Sequence, residues 1–272
     1  MRRAGVSAKQ KPILLIGAGR MGSALLKGWT RKKIGPIEIV EPDPPPGLKK
    51  LAKHAKLHRE LPNIAPAACV VALKPQVLKT KAASLKPIAE SGALMISIAA
   101  GTSIKSLAKA WGPKARIVRA MPNTPGAIGR GITALYASPK CSAKDRALAE
   151  NLLSALGETV WLKRETLIDA ATAVSGSGPA YVFLLVEAMT AAAEAQGLPR
   201  DAAEKLARAT IAGAGALLDA GKRDAAQLRR DVTSPGGTTE AALKILMAKD
   251  GLNALMAQAI AAARKRADEL SN

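Results

Sequence analysis

Ile13-Leu14-Leu15-Ile16-Gly17-Ala18-Gly19-Arg20-Met21-Gly22 decides the fold of this chain. The apolar start reads as a buried strand and Ser23 to Trp29 has helical spacing, so Gly-x-Gly-x-x-Gly lies where a strand turns into a helix. Gly17 permits the tight turn, Gly19 lets a pyrophosphate touch the backbone, and Gly22 allows close helix–strand packing. A dinucleotide is therefore expected along Ile16, Gly17, Ala18, Gly19, Arg20, Met21 and Gly22, with its phosphates at the positive end of the helix. A second strand, Ile37 to Val40, ends in Glu41, 24 positions after Gly17. Glu41 stands where an acid accepts hydrogen bonds from both ribose hydroxyls, and its charge would repel a 2′-phosphate. NADH is mildly favoured over NADPH, although Lys49 and Lys50 could reach a phosphate.

Outward from this unit, strand and helix patterns alternate. A helix is expected from Gly47 to about Ala55, a strand over Ala68 to Leu73, a helix near Val77 to Ala89, a strand over Leu94 to Ala99, a helix over Ser103 to Ala110 and a strand over Arg116 to Ala120. Ile132 to Tyr136, a helix near Ala143 to Leu156 and Thr159 to Leu162 complete the sheet. In a doubly wound fold, strand carboxyl ends face the ligand crevice, which assigns Ala72, Lys74, Pro75, Ala100 and Asn123 to the cofactor. Strand signals vanish after about Arg164, where Ala, Leu, Glu and Lys take over in helical spacing. The expected organisation is a Rossmann-type dinucleotide-binding domain over residues 1–163 and an all-helical domain over 164–272.

Composition excludes several classes. Cys69 and Cys141 lie far apart without metal spacing, which fits a reducing cytoplasm. Met1 to Lys11 is basic with no apolar stretch, so it reads as a frayed tail and not as a secretory signal. The most apolar run, Ala180 to Ala195, carries Glu187 and Glu194 and reads as a buried helix, not a membrane span. The formal net charge of +20 raises nucleic acid as a partner, yet the basic residues are scattered and only six aromatic residues are available for stacking. Nucleic acid and membrane are both set aside. His54 and His58 are four apart and could share a helix face, but no third ligand accompanies them, so no metal is expected.

A second ligand site is legible in Asp231-Val232-Thr233-Ser234-Pro235-Gly236-Gly237-Thr238-Thr239-Glu240. Glycines permit close backbone approach, and a helix starting near Thr238 points unpaired N–H groups at whatever lies before it. A carboxylate suits that position, and the hydroxyls of Ser234, Thr238 and Thr239 could orient a neighbouring nitrogen. An ordinary Gly-rich turn with Glu240 as a first-turn acid is the competing reading.

Gly17 to Gly22, Ala72 to Pro75, Met121 to Pro125, Ser175 to Tyr181 and Thr233 to Thr239, in this order, resemble the motifs of the pyrroline-5-carboxylate reductases, and the match covers nearly the whole chain. The resemblance implies reduction of 1-pyrroline-5-carboxylate to L-proline with NADPH or NADH, the last step of proline biosynthesis. It places Ser234, Gly237 and Thr238 on the substrate carboxylate and Thr239, the catalytic candidate, on the ring nitrogen. It also implies helix-interlocked homodimers that assemble further, usually into decamers. Glu41-Pro42-Asp43-Pro44-Pro45-Pro46 departs from the Ser, Asn or Arg-containing turn of many members, which puts their NADP preference in doubt here. A β-hydroxyacid dehydrogenase would share the two-domain plan but needs a lysine on the helix Pro179 to Met189, which has none. A non-catalytic dinucleotide sensor would have no use for the cradle.

Overall fold

The computed structural model describes residues 10–221 and 223–271, so most of the Met1 to Lys11 expectation falls outside the described residues. Eight strands form one sheet in the order β3-β2-β1-β4-β5-β6-β7-β8. They are β1 (Ile13–Ile16), β2 (Ile37–Val40), β3 (Ala55–His58), β4 (Ala68–Val71), β5 (Leu94–Ser97), β6 (Arg116–Met121), β7 (Gly131–Ala137) and β8 (Gly157–Trp161). All neighbours run parallel except β6 and β7, where Val118 faces Ala137 in an antiparallel pair. The strand order reverses between β1 and β4, which both start from the same level, Ile13 opposite Ala68.

Alternate side chains of the buried strands feed two cores, one on each face of the sheet. Leu15, Ile39, Val70 and Ile96 pack with Leu25, Leu26 and Trp29 of α1 (Arg20–Arg31). On the other face Leu14, Cys69 and Met95 pack with Leu78, Leu107 and Trp111, which lie on α3 (Pro75–Lys81) and α5 (Ile104–Trp111). Each fully buried leucine contributes roughly 1.5–3 kcal/mol relative to exposure. Both buried indoles also find acceptors, Trp29 Nε1 at 2.7 Å from the Leu152 carbonyl and Trp111 Nε1 at 3.0 Å from that of Ala82.

Two expectations in this region are corrected. The helix expected from Gly47 to Ala55 shrinks to α2 (Leu48–Leu51), and the chain then forms β3, pairing Val40 with His58. His54 and His58 therefore share no helix face; His58 Nε2 instead lies 2.8 Å from Glu38 Oε2 on the neighbouring strand. The short alternation Ala55-Lys56-Leu57-His58 was masked by the basic residues around it. The helix expected over Val77 to Ala89 is broken into α3, a 3-10 turn (Ala82–Leu85) and α4 (Lys86–Glu90). Pro87, which lacks an N–H, starts a helix well but cannot continue one.

Past α6 (Ala143–Leu153) and β8 the regular elements among the described residues are helices: α7 (Leu167–Ala171), α8 (Gly178–Ala195), α9 (Arg200–Ala220), α10 (Ala225–Asp231), α11 (Thr238–Leu246) and α12 (Leu252–Ser271). Contacts divide the chain into two compact units, Ser177–Ala263 and the remainder, so that α7 and the residues from Arg264 on group with the sheet. Within Ser177–Ala263, α8 packs on α9 and buries Ala203 and Ala207. The expectation that Ala180 to Ala195 is buried is not met within one chain: no residue of α8 is buried, and Phe183 and Leu184 are 61% and 63% exposed. A helix apolar all round needs cover on several sides, and one neighbouring helix supplies only one. A groove of about 900 Å³ between α8 and α9 is lined by Val182, Phe183, Val186 and Ile211 with Arg200 and Arg208.

Candidate functional site

The sheet-bearing unit brings the expected cofactor residues to the carboxyl edge of its strands. Ile16 ends β1, Gly17 and Ala18 form the turn, and Gly19 is the N-cap of α1, with Arg20, Met21 and Gly22 in its first turn. The glycine requirement is explicit at two positions. Gly17 has φ +90°, and a Cβ there would lie 2.9 Å from the Ala72 carbonyl oxygen; a Cβ on Gly22 would collide with the Gly17 carbonyl. At Gly19 a Cβ would meet nothing within 4 Å, so the turn opens onto free space beside it. No side chain caps α1 and no acid sits in its first turn, leaving its N–H groups and positive end for an anion. These residues fit a dinucleotide.

Glu41 follows β2, and its Oε2 accepts the Ala18 N–H at 2.7 Å while Oε1 lies 3.3 Å from the Asp43 N–H. The carboxylate thus fixes both the phosphate turn and the proline-rich segment after β2. Ala72 follows β4, Lys74 is the N-cap of α3 and Pro75 its first residue. Ala100 lies in the segment after β5, partly exposed. Asn123 follows β6, where its Oδ1 accepts the Ile132 N–H at 2.9 Å, so one end of its carboxamide secures the start of β7.

In the helical unit, Ser234, Gly237, Thr238 and Thr239 converge on the N-terminus of α11. Gly236 has φ +71°, and its N–H donates to Glu240 Oε2 at 3.0 Å. Gly237 is the N-cap, and its own N–H closes the turn onto the Ser234 carbonyl at 3.0 Å. The amides offered outward are therefore those of Thr238 and Thr239, and Gly237 contributes shape. The hydroxyls of Ser234, Thr238 and Thr239 have no hydrogen-bond partner among the described residues. The result is a compact set of donors able to hold a carboxylate and a nitrogen side by side.

Sequence reasoning missed a buried ionic cluster. Arg119 in β6 is 2% exposed; its Nη2 lies 2.8 Å from Asp169 Oδ1 and its Nη1 3.3 Å from Glu165 Oε1. An arginine inside an otherwise buried strand, followed by two acids four residues apart, was the signal. Burial pushes the Cys69 thiol far above its usual range, and burial also raises Cys141, whose Sγ donates to the Ile117 carbonyl at 3.3 Å. No group of three or more metal-ligating side chains forms among the described residues.

A doubly wound sheet with an open phosphate turn and a separate hydroxyl-lined cradle on a helical unit defines a two-domain dinucleotide-dependent oxidoreductase. Residues 12–101 match the family described as NADP oxidoreductase, coenzyme F420-dependent, and residues 165–270 match pyrroline-5-carboxylate reductase dimerisation. The chain is 42% identical to a pyrroline-5-carboxylate reductase of Pseudomonas aeruginosa, over 95% of this chain and 96% of that one. It is also similar to the solved pyrroline-5-carboxylate reductase of Coxiella burnetii, with TM-score 0.90, 35% identity and coverage of 97% and 100%. The Plasmodium falciparum pyrroline carboxylate reductase with NADP bound aligns with TM-score 0.81 at 26% identity, over 98% and 100% of the two chains. The chain belongs to the pyrroline-5-carboxylate reductase family.

Proposed function

We propose that this protein reduces 1-pyrroline-5-carboxylate to L-proline, the last step of proline biosynthesis. The observation that carries this reading is the α11 cradle, where three unbonded hydroxyls and two free amides meet at a glycine turn. When bound, NADH or NADPH would supply a hydride for the carbon of the C=N bond, C2 of the pyrroline ring, which becomes C5 of proline. Ser234 and Thr238 hold the carboxylate and Thr239 aligns the ring nitrogen. An imine that arrives protonated already carries the proton the product amine needs, so the protein supplies position and a dry pocket more than acid–base chemistry. No lysine stands on α8 to act as a base for alcohol oxidation.

Glu41 bears on the cofactor. Its carboxylate is pinned by the Ala18 and Asp43 amides, so its charge stays fixed at the end of β2, where a 2′-phosphate would suffer repulsion. NADH is accordingly used at least comparably to NADPH. We assign the sheet-bearing unit, which takes in α7 and the residues from Arg264 on, to the cofactor and Ser177–Ala263 to the substrate and to self-association, with the exposed faces of α8 and α9 covered by a second copy and the dimers free to assemble further. The free thiols of Cys69 and Cys141 suit a reducing cytoplasm. Steady-state rates with both cofactors on 1-pyrroline-5-carboxylate, with proline measured as product, test the reading. Absence of imine-dependent oxidation of either cofactor would overturn it, and a hundredfold preference for NADPH would overturn the role given to Glu41.

A further inference from the structure

Arg119 near the end of β6 ties that strand to Glu165, just before α7, and to Asp169 within it. Its Nη1 and Nη2 lie 3.3 and 2.8 Å from Glu165 and Asp169, and its side chain is 3% exposed. Glu165 Oε1 also accepts the Ile104 N–H at 2.6 Å. Ile104 is the first residue of α5, and a carboxylate at that end of a helix is favourable. The short segment Ile98 to Ser103 is thus held at one end by the Ile98 N–H, 3.1 Å from the Val71 carbonyl, and at the other by Glu165. Between these ties lie Ala100 and Gly101, the latter at φ +62°. Asp169 belongs to α7, which passes through a π-helical turn (Thr172–Gly176) where a Cβ on Gly176 would lie 2.8 Å from Met121 Cε, at the end of β6.

Strand order says which part of the ligand this cluster serves. With Glu41 at the end of β2 on the ribose of the adenosine half and the pyrophosphate at α1, the other half of the dinucleotide must extend across β1 to the ends of β4, β5 and β6. A buried ion cluster is weak as a source of stability, because well-packed apolar residues of similar volume often serve as well. We propose that Glu165, oriented by Arg119, is a positioning residue that sets the Ala99–Gly101 backbone against the nicotinamide half of the cofactor. The proposal rests on the reading of the protein as a dinucleotide-dependent imine reductase.

Glu165→Ala removes the acceptor for the Ile104 N–H, and Glu165→Gln keeps a neutral one. In Glu165→Ala, amide hydrogen exchange over residues 99–104 of the cofactor-free protein should quicken by about tenfold or more, as expected when a charge-assisted hydrogen bond is lost. Turnover should fall by a similar factor, the Michaelis constant for the imine should hold within about threefold, and the primary isotope effect with C4-deuterated cofactor should rise. Glu165→Gln should recover part of each change. Exchange and turnover within twofold of the unaltered protein, with only the melting temperature lowered, would overturn the proposal. If Glu165→Ala does not fold, unchanged exchange and isotope effect in Glu165→Gln would overturn it equally. The exchange measurement needs no imine, so an unaltered protein inactive on 1-pyrroline-5-carboxylate would refute the proposed function and leave this test standing.

Discussion

In the sheet-bearing unit β1, β2, β4 and β5 are buried at every position, whereas α8, the most apolar long helix of the chain, buries none of its residues. Both regions are rich in aliphatic side chains; they differ in where the cover comes from. Helices on both faces of the sheet supply two cores from within the chain, and the proposed dinucleotide turn stands at the edge of that sheet. Among the described residues the main helix pair of the helical unit is α8 on α9, so its apolar surface calls for a second copy, and the proposed substrate cradle on α11 belongs to the region that depends on it. One site is thus expected to exist in a lone chain, the other to be secured by assembly.

The sharpest way to break this contrast is to charge the exposed face of α8. Phe183→Glu combined with Leu184→Glu should abolish self-association, since carboxylates would be stranded in the interface. Turnover should fall by more than about a hundredfold while dinucleotide binding, measured by fluorescence titration, stays close to that of the unaltered protein. Loss of dinucleotide binding along with activity would erase the distinction between the two regions.

Within the cradle, removal of one hydroxyl from a charged hydrogen bond should cost about 1.5–3 kcal/mol, or roughly ten- to hundredfold in rate or affinity. Ser234→Ala should act mainly on the Michaelis constant for the imine, and Thr239→Ala should also lower turnover, because alignment of the nitrogen matters in the transition state. Neither should change dinucleotide affinity. Both constants within twofold of normal in Thr239→Ala would move the substrate site elsewhere.

On the other side of the comparison, Glu41→Ser should improve NADPH use relative to NADH by about tenfold, through loss of one fixed repulsion. Competing steady-state assays with the two cofactors read this directly, and an unchanged ratio would remove Glu41 from specificity.

The smallest effect concerns stability of the sheet-bearing unit alone. Asp145 shares a capping box with Ser142 at the start of α6, with contacts of 2.8 and 3.2 Å. Burial by itself would raise its carboxyl, but the Ser142 amide and hydroxyl and the Arg116 guanidinium outweigh that and hold it below its usual value of 3.8. A lowered folded-state value stabilises the protein above the unfolded-state value, and this contribution is lost as pH falls through the folded one. Asp145→Asn should therefore cost about 1 kcal/mol near neutral pH, with the gap closing in acid below about pH 4. A gap that widens in acid would contradict the assignment.

Ile13 to Gly22 and Glu41 made the doubly wound plan legible because glycine spacing records backbone geometry directly. The glycine turn leading into α11 was legible for the same reason, although the sequence could not say that the Gly237 amide closes the turn or that Glu240 takes the Gly236 N–H. Short elements were less visible: β3 is four residues in a basic run, and Pro87 splits what periodicity joins. The Arg119 cluster depends on partners 46 and 50 positions away, beyond any local pattern. Hydropathy also makes no distinction between a helix that its own chain covers and one left for another chain to cover, and so the apolar run of α8 by itself predicts core.

Sedimentation of the full-length protein at micromolar concentration, paired with its rate of imine-dependent cofactor oxidation across a dilution series, tests the dependence of the helical unit on a second copy most directly. The account predicts a dimer or larger assembly and a specific activity that falls as dilution releases monomer. A monomer at micromolar concentration with full activity would contradict it.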